Sequence, residues 1–474
     1  MRLSHDWGRG TAVFDDENLV SCAGLVPVME LAEQTGLSDL LDEHVVFRSE
    51  RIRSGAANPT PKLTSVIAGL LTGADSIDDL NMIRAGGMKR LFGEVYAPAT
   101  LGILLREFTG GHVRQLQAVL SRHLLALAER TGVLDGIATS RALVDIDSLL
   151  RPVYGHAKQG ASFGHTKIAN RQVLRKGLSP LATTISTPTA APVLTGIRLR
   201  AGKAGSGKGA ASMVTEAINT AKAAGAKDIL VRGDSAYGNG KVIAAVVKAG
   251  ARFSFTFTKN SSVNRAIGLI DEAAWTPVHY PGAVIDPDTG ALISDAEVAE
   301  IEYTAFKGSP EEITARLIVR RVRDQNHPDE LFPIWRYHPF FTNNTEPVTD
   351  ADVTHRQHAI IESVFADLID GPLAHMPSGL FPANSAWTVL AAITHNLLRA
   401  AGTLSGKAHA VARGATLRRH LVNVPARIAR PQGKRTMHLP VHWSRAVDWN
   451  ILWDCVFTNG SRQLAECHRY RPLL

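Results

Sequence analysis

The stretch ILVRGDSAYGNGK, Ile229 to Lys241, decides how the rest of the chain is read. Its first residues form a short apolar run of the kind found in buried strands. The run stops at Gly233-Asp234, a Gly/Ser/Asn-rich turn follows, and VIAAVVKAG then reads as a helix closed by a glycine. Asp234 therefore sits at the carboxyl end of a strand, the rim where α/β sheets bind ligands and metals. Taken alone, an Asp at such a corner is more often a turn former or a helix cap.

A second acidic site lies upstream, in ALVDIDSLL. Val144 and Ile146 point to one face of this strand, Asp145 and Asp147 to the other. Two acids on one face of an apolar strand are costly unless paired or bound to a cation. Further strands are expected around LATTIS and VLTGIRLRAG. A helix over AASMVTEAINTAKAAG, the Asp234 strand, a second helix and the strand RFSFTFTK follow. Three meandering strands followed by two parallel strands with helical crossovers form the ribonuclease H-like arrangement. In it the first and fourth strands are neighbours, which brings Asp145 and Asp147 to Asp234.

Around this core the expected fold is α/β, with a mainly helical N-terminal domain over 1–137. The core occupies 138–263 and 346–405, a β-rich insertion 264–345, and a basic region 406–474. In the N-terminal part, VPVMELAEQTGLSDLLDEHV and GHVRQLQAVLSRHLLALAERTG carry apolar residues at helical spacing, and residues 49–62 read as a loop. These helices suit either a helix-turn-helix DNA reader or a bundle packed on the core. The insertion, with PGAVIDPDTG as one of its turns, is a structural subdomain or a nucleic-acid platform through Arg320, Arg321, Arg323, Trp335 and Arg336. After it, HRQHAIIESVFADLIDG places Ile361, Val364, Phe365 and Leu368 on one helix stripe, with Glu362 beside it. A lone Glu there is ordinarily a solvated surface residue. This one falls where a third ligand would be wanted.

The 474-residue chain carries a net charge of +8. From Ala401 onward it holds twelve Lys/Arg against three Asp/Glu, so the tail accounts for the whole excess. This balance points toward a polyanionic partner. Three cysteines without CxxC spacing argue against a disulfide framework or a zinc site, and Cys467-His468 is a poor metal pair. No signal peptide is read at the start. The most apolar helix, from Trp387 to Ala401, is too short to span a bilayer. The expectation is a cytoplasmic protein with no membrane partner.

Two Asp and one Glu on such a sheet suit two Mg²⁺ or Mn²⁺ ions about 4 Å apart, which can drive phosphodiester cleavage and transfer. The segments VDIDSLLRPVYGHAKQGASFGHT, VRGDSAYGNG, THRQHAIIESVFADLIDG and PSGLFPANSAWTVLAAITHNLLR together resemble DDE transposases of bacterial insertion sequences, close to the IS thirteen-eighty family. The resemblance implies catalytic acids at Asp147, Asp234 and Glu362, with Asp145 as the alternative first acid or an added metal ligand. It implies binding of terminal inverted repeats, strand cleavage and strand transfer by a paired dimer. A stand-alone nuclease and an inactive DNA binder are the competing readings. Lys167, Arg320, Arg321, His355, Arg356 and His358 are the candidate DNA contacts. His355, His358 and Ile369 stand where relatives often carry Tyr, Arg and Lys. GKAGSGKG, Gly202 to Gly209, nearly matches a phosphate-binding loop but lacks the metal-binding hydroxyl, and reads as a basic loop against the DNA backbone.

Overall fold

The structure, a computed structural model, describes residues 10–47, 55–93, 95–155, 157–168, 171–205, 207–278, 296–323 and 334–458. Cys467, His468, Arg51, Arg53 and the PGAVIDPDTG turn lie outside the described residues, as does the Lys167 side chain.

A nine-stranded mixed sheet forms the centre. In chain order its strands are β1 (Ala142–Ser148), β2 (Leu181–Thr187), β3 (Ala190–Arg198), β4 (Ile229–Gly233), β5 (Arg252–Thr256), β6 (Thr276–Val278), β7 (Ala296–Ala305), β8 (Ile313–Arg323) and β9 (Trp335–Thr342). Across the sheet the order is β6-β7-β8-β9-β5-β4-β1-β2-β3. The strands β1, β4 and β5 run parallel, while β2 and β3 form an antiparallel meander beside β1. The parallel strands follow from the two helical crossovers, Ala210–Ala223 and Gly240–Lys248. β4 is buried along its whole length and is apolar except for Arg232 and its closing glycine.

The strands β6 to β9 do not form a detached unit. β9 pairs antiparallel with β5 through Phe340–Thr342, so the outer strands extend the central sheet. Their aromatic residues join its core: Phe341 packs against Phe253 and Phe257. At the opposite edge, the helix Gly110–Thr131 covers β3. Its Gln117 amide donates to the Ile197 carbonyl at 3.0 Å. Asn396, from the long helix Phe381–Leu404, donates to and accepts from the Leu194 backbone at 2.7 and 2.8 Å, as a neighbouring strand would. This blunts an edge that would otherwise invite pairing with another chain.

Phe381–Leu404 is buried on nearly every side, which explains its apolar composition. The helices Leu25–Gln34, Pro59–Thr72, Pro98–Glu107 and Gly110–Thr131 surround it, and one continuous hydrophobic core joins them to the sheet. Among the described residues no helix is long and apolar enough to cross a membrane.

Two elements depart from the sequence expectation. Pro59–Thr72 is a helix inside the region read partly as loop, with prolines in its first turn. Ser162–Ile168 and Arg171–Leu178 form a hairpin where no strand is expected. The basic tail is also partly internal. Arg413 and Arg399 both pair with buried Asp367, and Arg418 donates to the Asp370 carbonyl at 3.0 Å.

Candidate active site

The rim acids are placed by strand register. β1 and β4 pair in parallel with Asp145 opposite Arg232 and Ile146 opposite Gly233. Asp147 and Asp234 are the next residue on each strand, so they sit side by side at the carboxyl rim. Gly233 suits this tight site: a Cβ would stand 3.1 Å from both the Ile146 and Phe255 side chains, which would have to give way.

After Gly233 the chain folds into a tight turn. The Ala236 amide donates to Asp234 Oδ1 at 2.9 Å and the Tyr237 amide to the Asp234 carbonyl at 3.1 Å. Asn239 then caps the next helix by accepting from the Val242 amide at 3.2 Å. At Gly238 a side chain would press to 2.7 Å on the Thr256 carbonyl, so glycine lets the turn lie against β5. Asp234 thus forms a turn, as expected of an Asp at such a corner, and it stays exposed at the rim.

The third acid comes from downstream. Val348–Arg356 is helical, Gln357–Ile360 tightens to a 3₁₀ turn, and Ile361–Ile369 resumes as α-helix. The last segment buries Ile361, Val364, Phe365 and Leu368 and packs against β1 and β3, leaving Glu362 exposed in its first turn. Asp367 anchors the far end of this helix through Arg399 and Arg413.

The electrostatics of Asp147 report the assembly. Its carboxyl pKa is pushed up to about 7, chiefly by burial and further by the negative charges of Asp234 and Glu362. The Ser148 amide, donating at 2.6 Å, and the Arg200 charge oppose the shift. Asp234 and Glu362 thus act on Asp147 from two other segments, against the Arg200 charge. Among the described residues no group of three His, Cys, Asp or Glu closes on a single ion position. The donor set nonetheless fits a hard divalent cation: all oxygen and anionic, with the Asp234 and Glu362 charges adding to a rise in the Asp147 pKa that a cation would relieve.

Asp145 does not belong to this set. It is fully buried and held by Arg232 through two hydrogen bonds of 2.7 and 2.8 Å. Burial pushes its carboxyl pKa up, and the Arg232 charge pulls it back. Arg232 donates its remaining arm to the Thr354 carbonyl at 2.7 Å, tying the helix before Glu362 to the sheet. The inner pair of the two strands is therefore acid with base, and the rim pair is acid with acid. This corrects the expectation of Asp145 as a metal ligand.

Other expected DNA contacts are also reassigned. His355 is buried, stacked 4.2 Å from Phe340, with its ring nitrogens at 2.9 and 3.1 Å from the Ser254 and Thr256 hydroxyls. Burial, with the charges of His358 and Arg232, holds it neutral, so it reaches no phosphate. His358 is half-buried, with Nδ1 2.6 Å from the His355 carbonyl. Arg356 is half-buried and pairs with Asp352 at 2.9 Å. Arg321 is buried between the Trp275 and Trp335 rings, each 4.3 Å away, and bonds Glu272 and Glu297. It serves the outer strands, not a ligand. Arg320 is half-buried and its charge bears on Asp352.

Residues the sequence reading passed over complete the site. Arg200 is buried and donates to Ser179 Oγ at 3.1 Å and to the Lys208 carbonyl at 3.2 Å, which seats the 202–209 loop. Within that loop Gly207 lies beside the Asn239 amide and so against the Asp234 turn. Tyr237 is buried behind Asp147, and burial with the Asp147 charge keeps its phenol protonated. Its position in GDSAYG, three residues past the acid, was the available signal.

A rim of strand-end carboxylates on a mixed α/β sheet is the kind of donor arrangement that cation-assisted phosphoryl transfer uses. The comparisons make this specific. Residues 9–453 match the model of the transposase DDE domain group 1, and the chain belongs to this family of DDE transposases. No curated protein matches the chain. Among solved structures, the cryo-EM synaptic complex of piggyBac transposase with hairpin DNA is similar at 12% identity and a TM-score of 0.40. That match covers 86% of this chain and 77% of the other.

Proposed function

We propose that the protein is an active transposase that binds the terminal inverted repeats of an insertion sequence, cleaves at their ends and joins the freed 3′-hydroxyl to target DNA. The order β3-β2-β1-β4-β5, with β2 alone reversed, supports reading its core as ribonuclease H-like. The observation that carries the reading is the acidic rim. Asp147, Asp234 and Glu362 come from three distant segments, and the latter two raise the pKa of the first.

Mg²⁺ or Mn²⁺ held by these three carboxylates would supply Lewis-acid activation of the scissile phosphodiester and of the attacking oxygen. The rest is done by the chain itself. Asp145 and Arg232 lock the two strands in register. Arg232, through Thr354, and Asp367, through its arginines, fix the two ends of the segment presenting Glu362. The DNA strand runs from the acids over β2 and β3. Ser148 pairs with Leu181 and Leu181 with Arg198, so Arg198 stands at the same rim, about 10 Å from Ser148 by strand spacing. There a groove of about 760 Å³ opens, lined by Arg114, Arg122, Gln117 and Ser121 and by Arg198, which pairs with Glu216 at 3.2 Å. Arg114 and Arg122 would face the phosphates of a strand lying in it. Two copies acting together on paired ends complete the reading.

Strand joining is the test. The protein, Mn²⁺ and a duplex carrying the DNA end that flanks its reading frame are incubated with a supercoiled plasmid. End-to-plasmid joined products support the transposase. Nicking without joining would favour a nuclease, and end binding with neither would favour an inactive derivative.

A further inference from the structure

Tyr237 has no role in the mechanism given above, and its surroundings ask for one. The side chain is 1% exposed, among the largest fully buried side chains, yet its hydroxyl has no hydrogen-bond partner. Buried hydroxyls are almost always bonded, because leaving one unmet forfeits its hydration. Phenylalanine would fill the same space at no such cost.

The neighbours show where the hydroxyl points. Ser148 and Arg200 flank it closely enough to act on its ionisation as loose hydrogen-bonding neighbours, but neither forms a well-aligned hydrogen bond, and the Asp147 and Asp234 charges both act on it. The backbone fixes its place. The Tyr237 amide is bonded to the Asp234 carbonyl at 3.1 Å, and its carbonyl accepts from the Asn239 amide at 2.8 Å. The ring is thus held on the same turn as Asp234 and behind the neighbouring strand's Asp147. Arg200 carries only donors, so toward it the phenol oxygen can only accept. The phenol proton is left for an acceptor on the other side, Ser148 Oγ or the Asp147 carboxylate. Asp147 Oδ1 already accepts from the Ser148 amide at 2.6 Å. An aligned donor at its second oxygen would fix the plane of the carboxylate.

We propose that Tyr237, backed by Arg200, is a positioning residue that donates its hydroxyl to the ionised Asp147 carboxylate and orients it toward the cation. The inference rests on the reading of Asp147, Asp234 and Glu362 as cation ligands. Partners behind a ligand set its orientation and basicity, and their loss weakens metal binding by about 10- to 100-fold.

The test is Tyr237→Phe in the full-length protein, which keeps the ring and removes only the oxygen. Three quantities are read: the melting temperature in EDTA, the Mn²⁺ affinity from the electron paramagnetic resonance signal of free Mn²⁺, and the rise in melting temperature on adding Mg²⁺. The expected result is an unchanged or higher melting temperature in EDTA, since an unmet hydroxyl is removed. Mn²⁺ affinity falls about tenfold, with a smaller Mg²⁺-induced rise. A purely structural role predicts the reverse, a lower melting temperature with Mn²⁺ affinity within twofold of wild type, and would overturn the proposal. Failure of wild type to bind Mn²⁺ saturably would instead remove the cation site itself, and the role of Tyr237 with it.

Discussion

Asp147→Asn should make the metal-free protein more stable at neutral pH while destroying its function. The folded-state pKa of Asp147 is about 7 against an ordinary 3.8. A difference of roughly three units corresponds to about 4 kcal/mol at most, at 1.36 kcal/mol per unit. Partial exposure and relaxation bring the expected gain to about 1–3 kcal/mol. Because the folded-state pKa is raised, the folded state holds the proton more tightly than the unfolded chain. The wild-type penalty is therefore absent below about pH 4, grows as pH rises toward 7, and is complete above 7. Asparagine carries no such penalty and still offers an oxygen to the Ser148 amide. For a chain of this length about 1 kcal/mol moves the melting temperature by about 1 °C. Differential scanning fluorimetry in EDTA should show the variant about 1–3 °C above wild type at pH 8 and level with it at pH 4. With Mg²⁺ the order should reverse, because only wild type has the full ligand set. A variant that melts lower than wild type at pH 8 in EDTA would refute the reasoning, since Asp147 would then be satisfied in the fold.

Asp145→Asn, two residues away, should act in the opposite sense. It strands the buried Arg232 guanidinium and should cost about 3–5 kcal/mol with or without metal, read as a loss of melting temperature or of soluble protein. Below pH 7, cation binding should release a proton from Asp147, so Mg²⁺ affinity measured by calorimetry should rise as pH climbs to about 7 and then level. Arg321→Ala should lower thermal stability by unstacking Trp275 and Trp335 while leaving DNA affinity within twofold, because its charge is spent on Glu272 and Glu297. The double reversal Arg114→Glu/Arg122→Glu should weaken duplex binding in fluorescence anisotropy. It should also reduce the slope of log affinity against log salt by about 2, without changing Mg²⁺ affinity.

The rim was legible because it rests on two simple periodicities. Alternation in ALVDIDS sets Asp145 and Asp147 on one face, and the strand-turn-helix texture around Asp234 sets it at a carboxyl end. Topology then makes the strands neighbours. The residues alone left Asp145 and Asp147 equivalent and only the resemblance favoured Asp147; what separates them physically is the partner strand, where Arg232 lies opposite Asp145. The same blindness applies to His355 and Arg321, whose charges look available for DNA until burial and partners are known. The Ser162–Leu178 hairpin escaped notice because its glycines, lysines and histidine break the apolar alternation that marks a strand. Pro59 and Pro61 looked like loop residues, although proline in a first turn is a helix start. Tyr237 could have been suspected from its spacing to Asp234, but its unmet hydroxyl is visible only in three dimensions.

The central claim is that Asp147, Asp234 and Glu362 form one cation-dependent cleavage site. It is tested most directly by cleavage of a labelled duplex bearing the DNA end that flanks the reading frame, with Mg²⁺ or Mn²⁺. Wild type is compared with Asp147→Asn, Asp234→Asn and Glu362→Gln. The account predicts nicking at the end by wild type only in the presence of metal, lost in each variant while end binding persists. Nicking that survives in any one of the three variants, or that proceeds in EDTA, would contradict it.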